Sequence, residues 1–177
     1  MRKLSTLAAV TAFAFTGLGL AAGPVDADQS SSPWITYREP DFTVAAGDAC
    51  TFQVDAHVVS DHEAYRVLET YADGTDKVEL FKGLLKIAFT NHDTGETLTK
   101  NVNGRALIEY RPDGSFGRIT VLSGHFTTSI APGNEMAPGI YYVSGKDSRL
   151  TVNPDGSKTL VLGKNGSAEN LCTALAG

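Results

Sequence analysis

The chain is poor in the residues that mark most catalytic and metal-binding proteins. Among 177 residues there are two cysteines, two methionines and one tryptophan. Two cysteines more than a hundred residues apart do not make a zinc site, because such sites are built from close pairs. No HExxH, GxSxG or other motif of specific spacing occurs, so no metalloprotease helix and no nucleophile elbow is encoded. Basic residues number 15 against 20 acidic ones, and no Lys/Arg cluster offsets the net charge of −5. A mildly acidic chain of this kind repels phosphate backbones, which argues against nucleic-acid binding. Long crossover segments are also missing, and parallel sheets need them.

What is present begins with an export pattern. Arg2 and Lys3 precede an uncharged apolar stretch over 4–22, and Val25-Asp26-Ala27 follows as a small-x-small site. This order reads as a secretory signal over residues 1–27, cut after Ala27. Gly17, Gly19 and Gly23 weaken the same stretch as a permanent membrane helix, and no cysteine near the cut offers a lipid anchor. Removing Arg2, Lys3 and Asp26 leaves 13 basic and 19 acidic side chains, a net charge of −6. The organisation expected is a signal over 1–27, a polar flexible leader over 28–40 and one β domain over 41–177. The mature chain is long enough to bury a core.

An even cysteine count in an exported chain favours a disulfide, here Cys50 to Cys172. Chain-entropy arguments give so long a loop about 4–5 kcal/mol, against measured values nearer about 2–4.

The hydrophobic period is two. Cys50, Phe52, Val54, Ala56 and Val58 alternate with Thr51, Gln53, Asp55 and His57, and similar runs centre on Ile87, Ile108 and Thr128. Period two marks half-buried strands. Asp73-Gly74, Asn103-Gly104, Asn165-Gly166 and two Pro-Asp-Gly-Ser copies at 112–115 and 154–157 punctuate the runs. Such pairs supply tight turns. One segment, 61–71, carries both spacings: Ala64, Val67, Leu68 and Tyr71 fit a helix, while Tyr65, Val67, Glu69 and Tyr71 fit a strand. The all-β surroundings favour the strand. The expectation is an all-β protein of about eight to ten antiparallel strands. The meander closes into an up-and-down barrel, with a two-sheet sandwich as the alternative.

The stretch Asp41-Phe42-Thr43-Val44-Ala45-Ala46-Gly47-Asp48-Ala49-Cys50-Thr51-Phe52 resembles the opening of small secreted proteins of actinobacteria. Thr90-Asn91-His92-Asp93-Thr94-Gly95 is similar to their hairpin, and a later Pro-Asp-Gly turn and a cysteine near the C-terminus also match. The resemblance implies secretion and a β fold, and it carries no activity.

Candidate chemistry is sparse. Asp55, His57, Asp61, His62 and Glu63 are the residue types of a metal site without its spacing, and the solvent face of a half-exposed sheet is the better account of them. His92 and His125 read as surface residues, and Ser123-Gly124-His125 lacks the nucleophile-elbow context. Asn165-Gly166-Ser167 is a glycosylation sequon in form and a turn in composition. Tyr110, Phe126, Tyr141 and Tyr142, with Trp34 nearby in the count of aromatics, are the candidates to line a ligand cavity, although such residues serve core packing more often. The leading expectation is a secreted, monomeric, non-enzymatic protein without cofactor or metal, binding a small apolar ligand or an envelope partner. A hydrolase or isomerase on the same scaffold is the second reading, and a structural surface protein the third.

Overall fold

The structure, a computed structural model, describes residues 32–177. The expected signal over 1–27 and its cut lie outside the described residues, as does the start of the leader. In chain order the strands are β1 (Ile35–Tyr37), β2 (Phe42–Val44), β3 (Val54–Asp61), β4 (Glu63–Thr70), β5 (Asp76–Gly83), β6 (Leu85–Asn91) and β7 (Thr97–Asn101). They continue as β8 (Gly104–Tyr110), β9 (Phe116–Ile130), β10 (Gly139–Ser144), β11 (Arg149–Val152), β12 (Lys158–Val161) and β13 (Ser167–Asn170). A single turn of helix, α1 (Leu171–Leu175), follows. Of the segment assigned to the leader, Ile35–Tyr37 forms β1 and pairs with β4.

Alternation dictates the strands as expected. In β6, Leu85, Ile87, Phe89 and Asn91 are buried while Lys86 is exposed. Of the ambiguous segment, 63–70 is strand β4, paired to β1 on one side and β5 on the other. Its helical spacing fails because Leu68 points outward, 47 % exposed, where the register against β5 shifts. A bulge of this kind turns a side chain out of phase with its strand. The two Pro-Asp-Gly-Ser copies build the same turn. In each, an aspartate Oδ1, from Asp113 or Asp155, accepts the amide of the serine two residues on, at 2.9 Å.

Every pairing among the described strands is antiparallel, in two sheets. One runs β1-β4-β5-β8-β9-β10-β13, with β11 also on β9 and β12 on β11; the other runs β2-β3-β6-β7. The closed barrel expected from the sequence is not formed, and two sheets correspond to the sandwich alternative. The physical reason lies in the corners. β3 passes into β4 through His62, and β5 into β6 through Leu84, without a hairpin loop. The two corners are hydrogen-bonded to each other, His62 N to Leu84 O at 2.9 Å. The next corner is tied on by Val102 N to Leu85 O at 2.7 Å. Strands that change sheet at a bend give folded-over sheets. The edge strand β7 then meets β10 and the edge strand β13 through side chains rather than a ladder: Tyr142 Oη donates to Asn101 O, and Lys100 Nζ donates to Glu169.

Glycines line the corner. Gly83 pairs with Gly104, and Gly104 with Gly124. Gly124 sits at φ +82, where a Cβ would lie 2.0 Å from Asn103 O. Only glycine takes that conformation at so close an approach. There β9 bends and exchanges β8 for β10 as its partner.

Two cores result. The first gathers Val54, Ala56, Ile87, Phe89 and Ile140 with Leu171 and Leu175 of α1; the second gathers Val121, Phe126, Ile130, Tyr141 and Val143. β10 is buried on both faces and serves both. The Cys50–Cys172 disulfide joins the first core to α1 across a separation of 122 residues. Asn170 caps that helix by accepting from Cys172 N, and Asn91 Nδ2 donates to Leu175 O.

Candidate functional site

The bend leaves a cavity of about 660 Å³ between the two sheets. Its walls are more apolar than polar: Phe42, Val44 and Ile87 come from the smaller sheet, and Ala106, Ile108 and Phe116 from the larger, with Thr127, Thr128 and Ser129 among the polar lining. Of the four aromatic residues singled out in the sequence, Tyr110 and Phe126 line this cavity. Tyr110 Oη donates to Glu79 at 2.8 Å, so its hydroxyl is engaged. Tyr141 and Tyr142 stand elsewhere. Tyr141 is core, with its hydroxyl on Ala137 O at 2.9 Å. Tyr142 stacks on His125 at 4.6 Å between ring centroids. Neighbours in sequence on a strand face opposite ways, and β10 has a core on each side.

One end of the cavity is polar, and the sequence pointed to it only through Asp61 and Glu63, as candidate metal ligands. Tyr37 of β1 pairs with Glu63 of β4. Asp61, its side chain 5 % exposed, holds the local chain by accepting the amide of Glu39 at 2.6 Å and that of Glu63 at 2.8 Å. Tyr37 Oη donates to Glu39 Oε2 at 3.1 Å. Burial, then the charge and hydrogen bond of Glu39, push the Tyr37 hydroxyl up to about 12. Burial also raises Glu39, against the lowering effect of the Tyr37 hydrogen bond. Glu63 lies across Gly83, where a Cβ would come within 2.6 Å of its Cα and Cγ. Its Oε2 is shut off from solvent without a hydrogen-bond partner. Burial first, and then the charges of Asp61 and Glu39, raise the Glu63 carboxyl from 4.5 to about 7. At another part of the wall Lys158 Nζ donates to Ser129 O at 2.7 Å, and burial lowers its pKa.

Glu63 has a consequence for stability. The folded state holds this proton more tightly than the unfolded chain does. Its contribution is therefore full below about pH 4.5 and is lost as pH rises through about 7. The shift corresponds to at most about 3 kcal/mol, and screening at a half-buried carboxylate reduces the expected loss to about 1–2 kcal/mol. Glu63→Gln is expected to remove this loss, so that the variant gains on the natural protein at pH 8 and not at pH 4. Urea midpoints at both pH values check it; an equal difference at the two would show that the carboxyl does not titrate as described.

Two of the four histidines form exposed pairs away from the cavity, whereas His125, expected at the surface, is half-buried and lines it. His57 Nδ1 meets Asp41 Oδ2 at 2.8 Å, and His92 Nδ1 meets Asp55 Oδ2 at 2.8 Å. The hydrogen bond and charge of Asp55 raise His92, whereas the Val58 amide and then His57 lower Asp41. Among the described residues the hydrogen bonds of these rings run to Asp41, Asp55 and Gln53, and none to a hydroxyl. The five residues that suggested a metal site are thus split: Asp55 and His57 lie in separate pairs, Asp61 and Glu63 at the cavity end and His62 at a corner. Among the described residues no group of three or more His, Cys, Asp or Glu is placed to hold a metal ion. His62 is exposed at its corner. No helix among them is long and apolar enough to cross a membrane.

Fold and site together define a disulfide-linked antiparallel β protein of two sheets with a mainly apolar cavity between them. No protein-family model, curated protein or solved structure matches the chain.

Proposed function

We propose that this is an exported, non-enzymatic binding protein that holds a small, largely apolar ligand between its sheets. The observation that carries the reading is the cavity: about 660 Å³, walled more by apolar than by polar residues, with polar groups gathered at particular places. Ligand sites span roughly 300–1,000 Å³ and have this composition. Export is supported by the basic, apolar and small residue order of the N-terminal segment. A disulfide that persists in an oxidising compartment agrees with it. The resemblance to small secreted actinobacterial proteins points the same way.

The test is a fluorescence titration of the oxidised protein with N-phenyl-1-naphthylamine, a neutral apolar probe. Saturable binding at one site is expected. Ala106→Trp, which places an indole in the cavity between Phe81 and Val121, is expected to weaken it by about tenfold or more, as lost apolar contact predicts. Binding that is absent, or indifferent to this substitution in a folded variant, would overturn the proposal.

A further inference from the structure

The cavity's polar end constrains what its ligand carries. Three carboxylates converge there, those of Glu39, Asp61 and Glu63. Asp61 is occupied by two backbone amides, with Arg38 3.6 Å away, and Glu39 receives the Tyr37 hydroxyl. Glu63 has a fully buried oxygen with no partner at all.

The neighbouring cations do not neutralise it. Lys82 of β5 and Arg105 of β8 border the cavity, but both are exposed register partners one position from Gly83 and Gly104, so their side chains are directed toward the opposite face of the sheet. There the Lys82 ammonium sits 3.8 Å from the Trp34 ring centroid. Arg66, on that face of β4, lies 5.2 Å from the same ring. His125 is stacked on Tyr142. The charges that act on Glu63 are those of Asp61 and Glu39, both negative. Beside it Phe81 is flanked by Tyr37 at 5.5 Å and Tyr65 at 5.2 Å, aromatic surface of the kind that accepts either an apolar body or a cation.

We infer that the Glu39–Glu63 end of the cavity is a subsite for a protonated amino group, and that the ligand is an amphipathic amine whose apolar body fills the space between the sheets. This rests on the cavity being the binding site. A cationic head at the cavity-facing side of the Glu63 carboxyl offsets the repulsion among three carboxylates. A carboxylate head would add a fourth negative charge in the same confined place.

Displacement of N-phenyl-1-naphthylamine by decylamine, decanol and decanoate separates the possibilities, because the three share one apolar body. At about pH 8 decylamine is expected to compete about tenfold more tightly than decanol, the scale of a charge-assisted hydrogen bond. Decanoate is expected to be weakest. Acidification to about pH 5.5 protonates Glu63 and is expected to shrink the amine preference in the unmodified protein. Glu63→Gln is expected to abolish most of it, read as the ratio of decylamine to decanol affinity in the variant. Equal displacement by decanol and decylamine, or an amine preference that survives in Glu63→Gln, overturns the subsite and leaves cavity binding standing. A preference for decanol that grows on acidification also overturns it, in favour of Glu63 as a hydrogen-bond donor. Failure of the fluorophore itself to bind in the cavity overturns both readings.

Discussion

Replacing both cysteines, Cys50→Ala with Cys172→Ala, is expected to cost about 2–4 kcal/mol of stability. The link closes 122 residues of chain, nearly all of the described part. Cross-linking so long a loop removes much of the freedom of the unfolded chain, and the entropic account alone gives about 4–5 kcal/mol. The native state also depends on the bond locally. α1 is five residues long, too short to persist by itself in water. It is kept in place by burial of Leu171 and Leu175, by the Asn170 cap, by Asn91 on the Leu175 carbonyl and by the bond from Cys172. Cys172 Sγ lies 3.3 Å from the amide of Ile140, a cavity residue, so release of the helix also loosens one wall of the proposed site. Urea unfolding of the oxidised protein, the reduced protein and the double variant checks the effect. Both treatments should lower the midpoint alike, and unchanged midpoints would mean that the disulfide constrains nothing.

Phe89→Ala is expected to cost about 3–5 kcal/mol, the range for removing a fully buried ring. Phe89 has no solvent exposure. It lies in β6 between Ala56 of β3 and Leu98 of β7, and its ring meets Phe42 edge-on at 6.4 Å. Its small neighbour Ala56 cannot grow to fill the space, and the strands on either side are fixed by their ladders. A void therefore remains, whose cost adds to the lost transfer energy. Leu84→Ala provides the contrast. Leu84 is 61 % exposed at the β5–β6 corner, and substitutions of that kind stay within about 0.5 kcal/mol. Chemical denaturation of the two variants beside the natural protein measures the difference. A loss at Phe89 no greater than at Leu84 would contradict the core described here.

Much of this architecture is legible residue by residue. Alternation in 85–91 and 54–58 specifies strands with one buried face, because a strand's side chains alternate whatever its surroundings. Asp-Gly turns are equally local: Asp113 and Asp155 close the same loop through their own neighbours. The cysteine pair needed no geometry, since two cysteines allow one pairing. The segment 61–71 was decidable only because its neighbours are strands.

The candidate site was less legible, for a reason visible in particular residues. Tyr110, Phe126, Tyr141 and Tyr142 are alike as a sequence pattern, yet two face the cavity, one is core and one reaches another strand's carbonyl. Glu63 attracted attention only as one of five possible metal ligands. Its lost hydrogen bond and raised pKa arise from Gly83 beneath it, Asp61 before it and Glu39 twenty-four positions away. Tyr37 and Glu39 lay in a segment whose composition suggested a leader.

The sequence by itself determined the β class, the turns, the antiparallel sense of the strands and the disulfide, because period, turn chemistry and cysteine count act over a few residues or by elimination. Tertiary structure alone decided that consecutive strands are shared between two sheets instead of forming one closed meander, and that a cavity remains with an unpartnered carboxylate at one end. Those outcomes depend on Gly83, Gly104 and Gly124 falling in one row across strands far apart in the chain, a coincidence of register that no local pattern encodes.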